Sequence, residues 1–124
     1  MIIGLDFDGT IVEHAYPEIG PSVPGALEII DKWQNAGHKL ILFTMRSKDT
    51  LEQAVDYLTK NGIKLFGVNV NPTQHSWTSS PKAYCQLYVD DASLGCPLIP
   101  GKHTDRPMVD WVIINKLFVD RFGD

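Results

Sequence analysis

A chain of 124 residues has room for one compact domain with a real core and little for a second. Its 44% hydrophobic and 21% charged content excludes a disordered or low-complexity polymer, and a net charge of −4 with no basic stripe argues weakly against a polynucleotide partner. No apolar run reaches membrane-spanning length, so no membrane partner is expected. Met1 opens directly on an apolar strand with no leader-like pattern, and Cys85 and Cys96 have neither a CxxC partner nor histidine spacing. The expectation is a cytoplasmic protein with two small packed or half-exposed thiols.

Ile2 to Phe7 is a short, nearly continuous apolar run of the kind that forms a buried strand, and Asp6, Asp8 and Gly9 close it. Glu13 to Pro24 is punctuated by Pro and Gly without a steady period and reads as a flap. From Pro24, Ala26, Leu27, Ile30 and Trp33 recur at helical spacing, with Gly37 as the stop. Lys39 to Phe43 is a second strand and Thr44 to Lys48 a polar break; Leu51, Ala54, Val55 and Leu58 then mark a helix face closed by Asn61-Gly62. Ile63 to Val70 is a third strand. Asn71 to Ser80 is loop by composition, and Ser80-Pro81 has the form of a cap and first position of a short helix carrying Lys82. Gln86 to Val89 is a fourth strand that runs into Asp90-Asp91. A Gly/Pro-rich stretch with a short fifth strand near Pro97 to Ile99 leads to a closing helix marked by Val109, Val112, Ile113 and Leu117. Trp33 and Trp111 fall in the apolar helix patterns and read as core or subunit contact.

This alternation predicts an α/β fold with three layers over residues 1–124. A parallel Rossmann-like central sheet is joined by right-handed crossovers, with helices on both faces and the strands' carboxyl ends on one rim. That rim gathers Asp6 and Asp8, Thr44, Lys82, and Asp90 with Asp91. Carboxylates brought together in a low-dielectric pocket raise one another's pKa, and the usual remedy is a hard divalent cation with oxygen ligands. Magnesium suits such a set, because it takes one or two carboxylates and shares its other positions with water and a substrate phosphate. A hydroxyl and an ammonium in the same pocket suit an anion with several oxygens.

Taken in order, DFDGT (Asp6 to Thr10), the strand ending LFT at Thr44, the isolated Lys82 and YVDD ending at Asp91 resemble the four motifs of the haloacid dehalogenase (HAD) superfamily. The resemblance covers most of the chain and implies a magnesium-dependent hydrolase acting through an aspartyl-phosphate. It implies Asp6 as nucleophile and metal ligand. Asp8 would be general acid and base, with its backbone carbonyl on the metal. Thr44 and the N–H groups around Phe7, Gly9 and Met45 would hold the phosphoryl oxygens, with Lys82 balancing their charge. Asp90 would complete the metal ligands, while Thr10 and Asp91 would act one step behind it; the sequence leaves open which of Asp90 and Asp91 points inward. The dehalogenases lack a carboxylate at the position of Asp8, so phosphate-ester chemistry is expected.

The intervals where the superfamily inserts specificity caps are short here, so a capless site is expected, open to a small phosphate ester or to a macromolecular end. The flap Glu13 to Gly20 and the loop Asn71 to Ser80 are where a leaving group would be read, through His14, Tyr16, His75 or Trp77. Otherwise His14, His38, His75 and His103 are scattered and lack ligand spacing. Apolar residues in the flap or the last helix offer surface for a homo-oligomer. Two other readings fit the same residue types. A receiver-like phospho-acceptor switch shares the acidic pair, Thr, Lys and magnesium, but places its acidic pair first and its Lys last. The other reading is a metal-binding domain without activity.

Overall fold

A computed structural model describes residues 1–123. The elements are β1 (Ile2–Leu5), α1 (Ala26–Asn35), β2 (Lys39–Leu42), α2 (Lys48–Lys60), β3 (Leu65–Val68), a 3-10 turn (Gln74–Ser76), β4 (Leu87–Val89), β5 (Leu98–Ile99), β6 (Met108–Val109) and α3 (Trp111–Phe122). The central sheet is parallel in the order β3-β2-β1-β4, which makes the protein an α/β, Rossmann-like fold. Its inner strand β1 is the apolar run read at the start of the sequence. Leu5 pairs with Leu42 on one side and Val89 on the other, so three strands stop level with one another.

Helices α1 and α2 form where the apolar spacing predicts them; α3 also forms, but Val109 falls in β6 and Val112, Ile113 and Leu117 are exposed, the buried residues being Trp111 and Phe118. Asp110 caps the helix by accepting Ile113 N–H at 3.2 Å. Since β1, β2 and β3 are laid down in one direction, right-handed crossovers put α1 and α2 on the same face of the sheet. The helix α3 joins them there. Trp33 of α1 stacks on Phe118 with centroids 4.7 Å apart and leans on Trp111 at 5.6 Å. Ile3, Leu5, Leu40 and Leu42 complete this cluster from the sheet, together with Ala54 and Leu58 of α2. Trp33 and Trp111 are thus core residues.

The expectation of helices on both faces is corrected. On the opposite face Ile41 is fully buried, and a Cβ on Gly4 would press on Cys85 Sγ and the Tyr88 ring at 3.1 and 3.0 Å. The third layer is the 69–86 segment with its single 3-10 turn, and the helix read from Ser80-Pro81 does not form. Buried side-chain amides have taken the backbone groups such a helix would use. Gln74 Nε2 donates to the carbonyls of Ser80 and Lys82 at 3.0 and 2.9 Å, and its Oε1 accepts from Tyr84 N–H at 2.7 Å. Asn71 likewise donates to Tyr84 O and accepts from Thr73 N–H, while the Thr78 and Ser80 hydroxyls accept from N–H groups two residues on. Lys82 is therefore carried on irregular chain held from inside.

The short fifth strand is present, but β5 pairs antiparallel with β6, apart from the central sheet. This leaves β4 at the sheet's edge. Gln74→Leu removes three hydrogen bonds and strands their backbone partners, so we expect a loss of about 2 kcal/mol in urea denaturation. A change smaller than about 0.5 kcal/mol, the range of ordinary surface substitutions, would show that Gln74 does not hold the segment.

Candidate functional site

The level strand ends deliver the acidic residues to one place. Asp6 follows β1 with its N–H on Val89 O at 3.0 Å, and Phe43 N–H reaches Leu5 O at 2.8 Å across the other gap. The chain then turns tightly, with the N–H groups of Thr10 and Ile11 on Phe7 O and Gly9 in the left-handed region at φ 84°. A Cβ at Gly9 would overlap the His14 ring nitrogen and the Asp91 carboxylate, so only glycine fits that turn. Thr10 joins the two acidic loops. Its hydroxyl donates to Asp6 Oδ2 at 2.9 Å and accepts from Asp91 N–H at 3.1 Å.

Asp6, Asp90 and Asp91 each present an oxygen within 4.8 Å of the others. Burial pushes Asp6 up from 3.8 to about 8, helped by its hydrogen bond with Asp91 and the charge of Asp90 and opposed by the Thr10 hydroxyl. The Asp91 carboxylate thus stands beside those of Asp6 and Asp90, so both members of the Asp90-Asp91 pair, whose roles the sequence left open, reach the cluster. His14, read from the sequence as outside any ligand cluster, sets Nε2 on Asp91 Oδ2 at 2.8 Å.

Two cavities open on the cluster. One of about 430 Å³ is lined by Asp6, Thr44, Met45, Asn69, Pro81 and Asp90; the other, of about 230 Å³, is lined by Asp6 and Asp90 together with Lys82 and Tyr88. Asp6 and Asp90 thus border both cavities, with Thr44 in the first and Lys82 in the second. Lys82 Nζ lies 5.4 Å from the centre of the Tyr88 ring, and Met45 is almost wholly exposed at the mouth. A separate groove between β4 and α3, about 440 Å³, is walled by Leu87, Val89, Leu117, Phe118 and Phe122 and holds no acidic cluster.

Asp8 does not join the acidic group with its side chain. Both of its oxygens are taken by Arg46, from Nε and Nη2, each at 2.8 Å. Arg46 and Asn69 are the residues that sequence reasoning missed. Asn69 sits in the left-handed region at φ 58° and accepts Thr44 N–H on Oδ1 at 2.8 Å, fixing the residue that begins the break after β2. Its signal was weak: an Asn at a strand's end has many uses. Arg46 offered a stronger signal, being the one arginine in the polar break after Thr44. His75 and Trp77 lie within the 69–86 segment, His75 lining a cavity of that segment and Trp77 edge-on to Tyr84, and make no hydrogen bond to the acidic cluster among the described residues.

A parallel sheet with an acidic cluster on its carboxyl rim defines an α/β protein with a candidate cation and anion site. The chain is similar to a solved structure of a conserved protein from Bacteroides thetaiotaomicron, 33% identical over 98% of this chain and 91% of the other, with a TM-score of 0.80. It belongs to that conserved protein's family. No family model matches the chain, and no curated protein matches it. No helix among the described residues is long and apolar enough to cross a membrane.

Between 3.8 and about 8 the unfolded chain gives up the Asp6 proton while the folded chain keeps it. Stability from this residue is therefore full below the lower value and lost as pH rises through the upper one. We expect the ion-free native protein to lose stability relative to Asp6→Asn between about pH 5 and about pH 8 in thermal or urea melts. The comparison cancels His38, whose burial-lowered pKa works in the opposite sense. Parallel curves for the two proteins would contradict the raised Asp6 value.

Proposed function

We propose that this protein is a magnesium-dependent phosphatase of the HAD type, hydrolysing a phosphate monoester through an aspartyl-phosphate on Asp6. The observation that carries the reading is the meeting of Asp6, Asp90 and Asp91 at the sheet rim, with Thr44 and Lys82 each lining one of the two cavities that open on it. The donor set suits magnesium: it is all carboxylate oxygen, within reach of one ion, and burial, helped by the neighbouring carboxylates, raises the Asp6 pKa to about 8. Asp6, Asp90 and Asp91 would hold the ion, with the Asp8 carbonyl as a further oxygen. Bound there, magnesium supplies charge neutralisation for the phosphoryl oxygens and keeps Asp6 ionised.

An Asp6 oxygen attacks phosphorus, the bond from phosphorus to the ester oxygen breaks, and the departing oxygen takes a proton from Asp8, one of whose oxygens must leave the Arg46 fork to carry it. Water then attacks the phosphorus of the acyl phosphate and gives its proton to Asp8, which frees phosphate and restores Asp6. The Thr44 hydroxyl and the N–H groups of Phe7, Asp8 and Met45 hold the phosphoryl oxygens, and Lys82 offsets their charge; the Gly9 N–H, which the resemblance also implied, is instead bonded to Val12 O at 2.7 Å. Thr10 keeps the Asp6 carboxylate oriented. The open rim, without a cap, suits a small ester or a macromolecular phosphate end. We place the reaction in the reducing cytoplasm, in keeping with the free thiols of Cys85 and Cys96. A second copy of the chain, seated on apolar residues of the flap or of α3, would serve to cover the rim.

Phosphate release from p-nitrophenyl phosphate tests this reading. We expect turnover that needs magnesium and falls on the order of 1,000-fold or more in Asp6→Asn. Stable labelling by acetyl phosphate, with no ester in a broad panel hydrolysed, would favour the receiver-like switch. Neither labelling nor turnover would leave an inactive metal-binding domain.

A further inference from the structure

Arg46 is only 3% exposed, and all five of its N–H groups are used. Nε and Nη2 grip the two oxygens of Asp8, each at 2.8 Å. The second N–H of Nη2 donates to Glu18 O at 2.7 Å, and Nη1 donates to Pro17 O at 3.1 Å and Thr50 O at 3.4 Å. The rings of Phe7 and Tyr16 lie 5.1 and 5.2 Å from the guanidinium carbon. One planar group therefore holds the proposed acid, the start of α2 and the middle of the flap.

The flap's two ends are fixed by other means. Glu13 N–H bonds Pro21 O, and the buried Glu13 carboxylate accepts the N–H groups of Lys102 and His103 at 2.7 and 2.9 Å. Between them, among the described residues, the polar ties of 15–19 to the rest of the molecule are those to Arg46, with Ile19 packed on the core. The flap contributes backbone carbonyls to this tie. If the flap lifts, buried N–H groups of Arg46 lose their partners; if Asp8 turns out of the fork, two others do.

We propose that Arg46 is a positioning residue that makes closure of the 15–19 flap and orientation of the Asp8 carboxylate a single event, in place of a cap. The inference rests on the phosphatase reading for the acid role of Asp8, and on geometry alone for the tether. A purely structural ion pair would hold the fold without touching proton delivery, and the two roles separate in the laboratory.

The tether is read without substrate, by hydrogen exchange of the flap amides in the native protein, Arg46→Lys and Arg46→Ala. We expect exchange of the Glu18 N–H, which donates to Ala15 O within the flap, to speed up by about tenfold or more in both variants while the strands stay protected. Lysine keeps the charge but cannot make the fork, so Arg46→Lys still decides the matter if Arg46→Ala fails to fold. Positioning is read from kcat/KM across phosphate esters whose leaving groups run from p-nitrophenol to simple alcohols. We expect Arg46→Lys to lose about 100-fold on alkyl esters and far less on p-nitrophenyl phosphate, whose leaving group needs no proton. Asp8→Asn should show the same steepened dependence, and added guanidinium should partly restore Arg46→Ala.

An equal loss on every ester would overturn the positioning role, and unchanged flap exchange would overturn the tether. A native protein inactive on all esters with magnesium would sink the phosphatase reading and the acid role with it. The exchange result would still stand for or against the tether.

Discussion

The register of the central sheet is the constraint from which the site follows. Leu5 lies between Leu42 and Val89, so the chain leaves β1, β2 and β4 at the same height, and the next residues of each segment must share one small volume. A slip of one residue in β4 would reverse its side chains and carry Asp90 away from Asp6. What fixes that register is apolar: Ile3, Leu5, Leu40, Leu42 and Val89 all sit in one buried cluster with the helices. The acids meet because greasy side chains on the strands before them are buried in step.

Bringing the acids together is unfavourable, and the surrounding structure is built to withstand it. Asp6 is held near the protonated side by burial and by its neighbours, yet it is pinned by the Thr10 hydroxyl. Thr10 is fully buried, and its carbonyl accepts the Trp111 indole N–H at 2.7 Å. The first residue of the closing helix thus anchors the turn that carries the first acid. Core and rim are joined at this point.

The strands, the helices and the acidic rim were legible because each rests on a local pattern: apolar runs, helical spacing, and acids at a strand's end. The layer over the second face was not, because its order comes from Asn71 and Gln74, polar side chains that satisfy backbone groups up to thirteen residues away. Ser80-Pro81 does carry a helix-start signal, but Gln74 had already claimed the carbonyls of Ser80 and Lys82. Arg46 and Asp8 stand 38 residues apart, and no periodicity links them. His14 escaped for a similar reason: its partner Asp91 lies 77 residues along, and neighbouring histidines were the wrong place to look.

The two cations near the rim differ in kind, and the difference matches where each is placed. A guanidinium offers a rigid fork and is weakly hydrated, so Arg46 can sit buried with every N–H matched to a fixed acceptor. An ammonium is a compact point charge on a flexible stem, suited to following an anion that arrives and leaves. Lys82 stands on irregular chain and lines the cavity that Asp6 and Asp90 also line, with its Nζ 5.4 Å from the centre of the Tyr88 ring. Exchanging the two would put a fork where movement is needed and a point charge where two carboxylate oxygens and two flap carbonyls require a plane. In the proposed reaction the first cation keeps geometry and the second meets charge, which is why the loop bearing Lys82 can lack regular structure while Arg46 sits between a strand and a helix.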